Sequence, residues 1–202
     1  MNQDDEIRHL LELMPASGRM MTQLTSKPQQ SQVIEVPFPY PWSSIRRMSI
    51  NFDLWQDLSR SQRDLMLLRT VSWVTEVKWI ALNLDQGIVL AGAIGTATQI
   101  AQQDAFGVLI AGGLCALGVR RIWQANHRSE IELKADEAAV RVAQRRGYTE
   151  PEAALALLKA IEKVSELERR PGLTYMELMR CQNLRALAKL SPIAVPPGIR
   201  QE

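Results

Sequence analysis

Apolar residues recur at helical spacing in five segments of the chain. The pattern predicts helices over 4–14, 61–78, 129–146, 151–169 and 175–189. Gly147 is expected to end the third helix, because glycine readily adopts the left-handed conformation that follows a helix. Thr149 and Glu152 stand at the start of the fourth helix with the spacing of a capping box.

Two short stretches, 33–36 and 48–51, have instead the residues of β-strands. The proline-rich segment between them forces an extended connection and confines the first strand to a sheet edge. A two-stranded element is marginal in water, so we expect helix 61–78 to cover it. These patterns predict a fold that is mainly α with a small β element.

The segment 80–123 is the least polar part of the chain. Two runs within it, 87–100 and 105–119, contain no charged residue, and they predict an apolar helical hairpin. Small residues recur at every fourth position of the runs, a spacing that allows two helices to approach closely. These residues are Gly87, Ala91, Gly95, Gly107, Ala111, Gly112 and Ala116.

Basic and aromatic residues flank the predicted hairpin, whereas its tip has no basic residue. The flanking residues are Lys78, Trp79, Arg120, Arg121 and Trp123. This arrangement is typical of a multi-pass membrane hairpin with both ends on the cytoplasmic side, and it makes membrane lipid an expected partner. A soluble hairpin in a core or dimer interface is the alternative, since both runs are shorter than the roughly 20 apolar residues that cross a bilayer.

The composition of the 202-residue chain is that of a globular protein. Hydrophobic residues make up 46% and charged residues 23%, and the formal net charge of +2 gives no argument for a nucleic-acid partner. Cys115 and Cys181 have no CxxC spacing, so we expect both to be reduced packing residues. The N-terminus lacks the basic and apolar regions of a signal peptide, which predicts synthesis and folding on the cytoplasmic side.

Glu132 and Asp136 project from one face of the predicted helix 129–146, because they are four residues apart. Two acidic residues at this spacing usually form a solvated face. The segment 130–154, however, resembles the Glu-Leu-Glu-Ala-Asp helix of HtpX-like membrane zinc peptidases, which are gluzincins. The resemblance implies that Glu132 stands at the position of the third zinc ligand and Asp136 at that of the family's aspartate. It covers roughly 48–163 and implies a minigluzincin-like scaffold with an inserted apolar hairpin.

The HExxH motif of that family is missing. The best gapless match places Arg69 at the first histidine, Thr70 at the glutamate and Trp73 at the second histidine. None of these side chains can bind zinc or act as the general base. His9 and His127 lie in different segments and form no such pair. We therefore expect no metal, no other cofactor and no peptidase activity. An ion pair from Arg69 to Glu132 or to Asp136 would replace the metal.

The chain also resembles an uncharacterised family of cyanobacterial membrane proteins with a domain of unknown function. The segments that carry this resemblance are LMPASGRM, SKPQQS, INFDLW, LLRTVSW and RCQNLRALA. It implies a location in the thylakoid or plasma membrane, but it does not indicate which activity to expect.

We predict an N-terminal amphipathic helix and loop at 1–27, a single peptidase-like domain at 28–190, and a flexible tail at 191–202. The expected function is that of a catalytically inactive, peptidase-like membrane protein that binds an unknown protein partner and acts in assembly or as a scaffold. An extended peptide would add to edge strand 33–36 or to 49–51, beside helix 61–78. A soluble helical interaction module and an enzyme with an unrecognised site are the alternatives.

Overall fold

The computed structural model describes residues 2–38, 45–76, 84–101, 105–126 and 129–190. Helices dominate and the strands are short, which confirms the predicted mainly α fold with a small β element. The helices are α1 (Gln3–Leu13), α2 (Ala16–Met21), α3 (Phe52–Trp55), α4 (Arg60–Glu76), α5 (Leu84–Ala101), α6 (Ala105–Asn126), α7 (Ser129–Gln144), α8 (Glu150–Leu167) and α9 (Tyr175–Leu187). The strands are β1 (Thr22–Ser26), β2 (Ile34–Glu35) and β3 (Arg46–Ile50).

The chain divides into two compact units. One unit comprises Met1–Val77 and Ser129–Glu202, and the other comprises Lys78–Arg128. Leu10 and Met14, from the apolar face of α1 and its end, are fully buried in the core of the first unit. The N-terminal helix α1 therefore contributes to this core. The predicted tail at 191–202 lies outside the described residues.

The three strands form one sheet in the order β1-β3-β2. β1 is parallel to β3, with Thr22 opposite Arg46, and β2 is antiparallel to it, with Ile34 opposite Ile50. The sequence did not predict β1, because Leu24 is its sole apolar residue. β2 lies at the edge, as predicted, whereas β3 is paired on both sides. The expectation that 49–51 offers a free edge was therefore wrong.

The buried side chain of Asn51 fixes the loop that leads into β2. Its Nδ2 donates to the carbonyls of Pro28 and Gln30 at 3.0 and 2.8 Å. Its Oδ1 accepts from the Asp53 N–H and caps α3. One amide thus binds backbone groups of both the loop before β2 and the start of α3.

α4 forms the centre of the first unit. Its buried Leu65 and Leu68 share one core with Met48 and Ile50 of β3, as expected of a helix that covers the sheet. α4 also packs against α7 and α8. Because it has protein on several sides, its apolar residues are not confined to one stripe, and the run Leu65 to Leu68 is buried throughout.

Local capping signals mark three of the helix boundaries. The predicted capping box at Thr149 and Glu152 is confirmed at the start of α8, and Gly147 has a φ of 94° beyond the end of α7. A second capping box, formed by Thr174 and Glu177, begins α9. The sequence analysis overlooked this second box, although the T-x-x-E spacing is the same.

α5 and α6 pack against each other in the second unit. A Cβ at Gly92 would lie 3.0 Å from the Cys115 backbone nitrogen, and a Cβ at Gly95 would lie 3.3 Å from the Ala111 Cβ. The pair is antiparallel, since the earlier residue of α5 meets the later residue of α6. Of these two glycines Gly92 makes the closer approach, and it was not among the predicted small residues.

The other small and flanking residues that the sequence singled out in this helix pair differ in their exposure to solvent. Ala91 and Ala116 are exposed, so they do not lie at the contact, whereas Gly107 and Gly112 are half-buried. Arg120 is exposed. Lys78 and Trp79 lie outside the described residues. Gly87, Arg121 and Trp123 lie in α5 or α6, but the structure does not describe the surroundings of their side chains.

Large apolar side chains cover the outer face of α6. They are between 50% and 79% exposed and comprise Phe106, Leu109, Ile110, Leu114 and Leu117. The prediction of transmembrane helices is not supported, because no helix among the described residues is both long and apolar enough to cross a bilayer.

Candidate binding site at an arginine–carboxylate network

An ion pair joins α4 and α7 at the residues that the sequence analysis singled out. The Nη2 of Arg69 donates to the Oε2 of Glu132, and its Nε lies 3.6 Å from Asp136 Oδ1. The two carboxylates are one helical turn apart, so both face α4. The predicted ion pair from Arg69 to these acidic residues is confirmed.

Arg180 of α9 completes this network. Its Nε and Nη2 each donate to one oxygen of Asp136 at 2.8 Å, a bidentate arrangement in which Asp136 is 0% and Arg180 8% exposed. Burial alone would lower the pKa of Arg180, but the charge of Asp136 and the hydrogen bonds to it raise this pKa above its ordinary value. The sequence analysis missed Arg180.

Arg69 remains a cation in spite of its surroundings. Burial and the neighbouring charge of Arg180 lower its pKa to about 9, and Asp136 opposes that shift. Since this pKa is well above 7, Arg69 and Arg180 balance the charges of Glu132 and Asp136 at neutral pH. The four side chains form a closed set of two cations and two anions.

A third arginine lies between two further carboxylates. Arg170 donates from Nη1 and Nη2 to the two oxygens of Glu177, both at 2.8 Å, and its Nε is 3.0 Å from Glu168 Oε2. Although burial raises the pKa of Glu177, hydrogen bonds from Arg170 and Thr174 lower it to about 2. One guanidinium thus serves two carboxylates, so this part of the network has an excess negative charge.

These groups surround a cavity of about 380 Å³ in the first unit. Its walls come from β2 and the residues beside it, from α4, from the start of α7 and from the α8–α9 region. The charged residues that line it are Glu35, Arg69, Glu132, Glu168, Arg170, Glu177 and Arg180. The uncharged lining residues are Gln32, Ile34, Val36, Met66, Thr70, Trp73 and Val164.

Among the described strands β2 pairs only with β3, and its other edge belongs to this cavity wall. The Asn51 N–H donates to the Val33 carbonyl at 3.0 Å, and Glu35 is opposite Ser49. Backbone groups alternate in direction along an antiparallel strand, so the N–H and C=O of Ile34 point away from β3. At the start of the strand, the Val33 N–H donates to Glu168 Oε1 at 3.0 Å. A carboxylate of the network therefore binds the backbone immediately before Ile34.

Thr70 and Trp73 line the cavity, but neither is placed for metal chemistry. The Thr70 hydroxyl donates to the Met66 carbonyl at 2.7 Å. The Trp73 ring packs edge-on against the Phe38 ring, with 6.1 Å between the two ring centroids. Glu132, at the position that the resemblance gives to a zinc ligand, is held by Arg69, and the neighbouring Asp136 is held by Arg180. These residues therefore do not fit the metal that the resemblance implies. Among the described residues, no group of three or more His, Cys, Asp and Glu side chains is arranged around a common metal position.

His9 lies in a separate polar cluster. Its Nε2 is 2.9 Å from one oxygen of the buried Asp64, and the Tyr148 hydroxyl donates to the other oxygen at 2.7 Å. Burial and this bond raise the pKa of Tyr148 to about 12. The cluster ties α1 to α4 and to the end of α7, which indicates a structural role. His127 lies outside the described residues.

Comparison with known proteins places the chain in a family. A family described as "Protein of unknown function (DUF3318)" matches residues 8–148, which is more than half of the chain. The chain belongs to this family. It is also 30% identical over 124 residues to a protein of Synechocystis sp. (strain ATCC 27184 / PCC 6803 / Kazusa) named "Thylakoid membrane protein slr1949". This alignment covers 59% of the chain and 58% of the relative, so the chain spans less than two thirds of the relative's length.

These comparisons confirm the predicted resemblance to an uncharacterised cyanobacterial family. They do not support the resemblance to HtpX-like peptidases. No solved structure gives a significant match to the chain.

Sequence analysis identified one side of the network and missed the other. Arg69, Glu132 and Asp136 were found through a motif, whereas Glu168, Arg170, Glu177 and Arg180 were not. The available signal was the T-x-x-E spacing of Thr174 and Glu177, followed three residues later by an arginine.

Proposed function

We propose that this protein is a catalytically inactive, HtpX-like membrane protein that binds an extended peptide of a partner and acts as an assembly or scaffold factor. The observation that carries the proposal is the ion pair of Arg69 with Glu132 and Asp136. It fills, with a cation of the chain itself, the place where the resemblance would have a metal ion. A scaffold with such a site retains a groove for a peptide, while Arg69, Thr70 and Trp73 replace the residues that bind zinc and activate water in the peptidases.

The open edge of β2 supports binding by strand addition. An extended peptide that pairs with the outward backbone groups of Ile34 would run along the cavity wall and place alternate side chains into the cavity. Trp73 and Val36 supply apolar surface there. Backbone hydrogen bonds would provide affinity, and the cavity would select the side chain.

Fluorescence anisotropy with labelled nonapeptides tests this proposal. The peptides have the sequence Gly-Ser-Thr-Val-Xaa-Val-Thr-Ser-Gly, with lysine, norleucine or glutamate as Xaa. We expect saturable binding of at least one peptide, no cleavage with or without added Zn²⁺, and loss of binding when the backbone amides around Xaa are N-methylated. Absence of binding by all three peptides, or cleavage that depends on Zn²⁺, would refute the proposal.

The variant Ile34→Pro provides a test on the protein side. Proline removes the outward N–H of Ile34 but leaves the hydrogen bonds to β3, which come from its neighbours. Circular dichroism should confirm that the variant folds, and peptide binding should be lost. The matched control is Leu24→Pro in β1, at the other edge of the sheet, whose folded form should still bind the peptide.

We also propose that the α5–α6 pair attaches the chain to a membrane through the exposed apolar face of α6. Five large apolar side chains on that face and the membrane name of the relative support this part of the proposal. In cells that express the untagged protein, it should stay in the membrane pellet after an alkaline carbonate wash. Replacing Leu109 and Ile110 by serine should release it, whereas release of the unaltered protein would refute membrane attachment through this face.

A further inference from the structure

We infer that the cavity beside β2 binds a basic side chain, lysine or arginine, of the extended peptide. This inference rests on the proposed function and adds the class of side chain that is recognised. It depends on the charges in the wall of the cavity and on where they remain unbalanced.

The described wall of the cavity has more carboxylates than cations. Four carboxylates and three guanidinium groups line it, and Asp136 lies buried behind it. The Nζ of Lys27 is 3.5 Å from Glu35 and balances that residue from outside. Without Glu35, the four carboxylates of Glu132, Asp136, Glu168 and Glu177 face three guanidinium groups. The described network therefore has a net charge of −1.

The unbalanced charge is located at the end of the cavity where the open strand edge begins. Arg69 and Arg180 pair with Glu132 and Asp136, which leaves Arg170 to serve both Glu168 and Glu177. Glu168 also accepts the Val33 N–H, one residue before the outward backbone groups of Ile34. A peptide added at this edge would therefore bring a side chain close to the carboxylate that has the least compensation.

A cationic side chain satisfies this arrangement better than an apolar or acidic one. A lysine ammonium beside Glu168 would balance the charge without displacing any existing pair. An acidic side chain would have to compete with Glu168 and Glu177 for Arg170. A lysine stem would also pack its methylene groups on Val36 and Trp73, which line the same cavity.

The three nonapeptides described above test the inference. We expect the lysine peptide to bind about tenfold more tightly than the norleucine peptide, as for one partly desolvated ion pair, and the glutamate peptide to bind most weakly. The advantage of lysine should decrease as NaCl is raised. If all three bind equally, or if glutamate binds best, the inference is wrong while strand addition stands. If none binds, the proposed function itself fails.

The variant Glu168→Gln tests whether the charge of Glu168 is responsible for the preference for lysine. The glutamine oxygen can still accept the Val33 N–H, so the strand edge is retained while the charge is removed. We expect the lysine and norleucine peptides to bind this variant with similar affinity. The control is Glu162→Gln, which removes a carboxylate paired with Arg185 outside the cavity and should leave the preference for lysine unchanged. A preference that survives in Glu168→Gln would overturn the assignment of this residue.

Discussion

Asp136 and Arg180 form a bidentate ion pair in the interior of the first unit, with both N···O distances at 2.8 Å. Asp136 has no exposed surface, and Arg180 has little. The pair joins α7 to α9, and Arg69 of α4 approaches the same carboxylate. Three helices therefore depend on one buried anion, whose removal would leave guanidinium groups without a partner.

Replacing Asp136 by asparagine should strongly destabilise the fold. The amide keeps the shape but cannot neutralise Arg180, and an unpaired buried charge costs about 3 kcal/mol or more. The free energy of unfolding, measured with urea, should decrease by that amount. In the control Glu130→Gln, which breaks an exposed pair with Lys134, the loss should be about 0.5 kcal/mol. Equal small losses in both variants would contradict the central role of Asp136.

The pair of Arg69 and Glu132 should show coupling in a double-mutant cycle. Arg69→Leu leaves Glu132 without its partner, and Glu132→Leu does the same to Arg69, whereas the double variant has neither unpaired charge. We expect the double variant to lose less stability than the sum of the single losses, with a coupling on the order of 1 kcal/mol. Urea unfolding of the four proteins measures this coupling. Strict additivity would mean that the ion pair contributes nothing.

Glu177 should make stability depend on pH in the acidic range. Its pKa in the folded protein is about 2, below its ordinary value of 4.5, so the unfolded chain takes up the proton first as the pH falls. The contribution of Glu177 is therefore complete above pH 4.5 and is lost progressively between pH 4.5 and 2. Because Glu177 is partly exposed, solvent screening reduces this contribution to the order of 1 kcal/mol.

The variant Glu177→Gln isolates this effect. Its melting temperature should be below that of the unaltered protein at pH 7, and the difference should shrink as the pH falls below 4.5. The control Glu166→Gln, which removes an exposed partner of Lys163, should show no comparable trend. A constant difference between Glu177→Gln and the unaltered protein across this range would show that the carboxylate charge is not responsible.

The parts of the fold that follow from local pattern were predicted, and the parts that depend on distant contacts were not. The predicted helix 151–169 and its capping box at Thr149 are properties of neighbouring residues and match α8 closely. β1 has no apolar alternation, and its pairing with β3 depends on residues about 24 positions away. The pairing of β1 that places β3 in the middle of the sheet was therefore hidden, whereas the edge position of β2 was predicted.

In the candidate site, too, the contacts within one helix were predictable and the contacts between distant residues were not. Glu132 and Asp136 share one helix face, so their spacing was sufficient to bring them together. Arg180 reaches Asp136 from a position 44 residues later in the chain; the T-x-x-E spacing before it marks a helix start but does not indicate Asp136 as its partner. The local spacing of Thr174 and Glu177 predicts a helix start, but it does not predict that Arg170 shares Glu177.

The contact between Gly18 and Val71 should not tolerate a methyl group. A Cβ at Gly18 would lie 2.4 Å from Val71 Cγ1, so Gly18→Ala forces α2 away from α4 or shifts a buried side chain. We expect a loss of about 1–3 kcal/mol in the free energy of unfolding, as for other overpacked cores. In the double variant with Val71→Ala, the two changes should cost less than the sum of their separate losses. Additive losses would show that the clash is relieved elsewhere.

Gly92 should be essential for the close approach of α5 and α6. A Cβ at this position would lie 3.0 Å from the Cys115 backbone nitrogen and 3.1 Å from the Ala111 carbonyl oxygen. Backbone atoms cannot move away as a flexible side chain can, so Gly92→Ala should separate the helices and expose the half-buried Cys115. The reaction of this thiol with DTNB, measured with Cys181 replaced by alanine, should become faster.

Gly113→Ala is the matched control for Gly92→Ala, because a Cβ at Gly113 has no atom within 4 Å. Both substitutions favour the helix by a similar amount, about 1 kcal/mol, since alanine has the higher helix propensity. Any difference between them therefore reports the contact between the helices. We expect the DTNB rate of Gly113→Ala to equal that of the unaltered protein. Equal rates for Gly92→Ala and Gly113→Ala would show that α5 and α6 do not approach as closely at Gly92 as the structure has them.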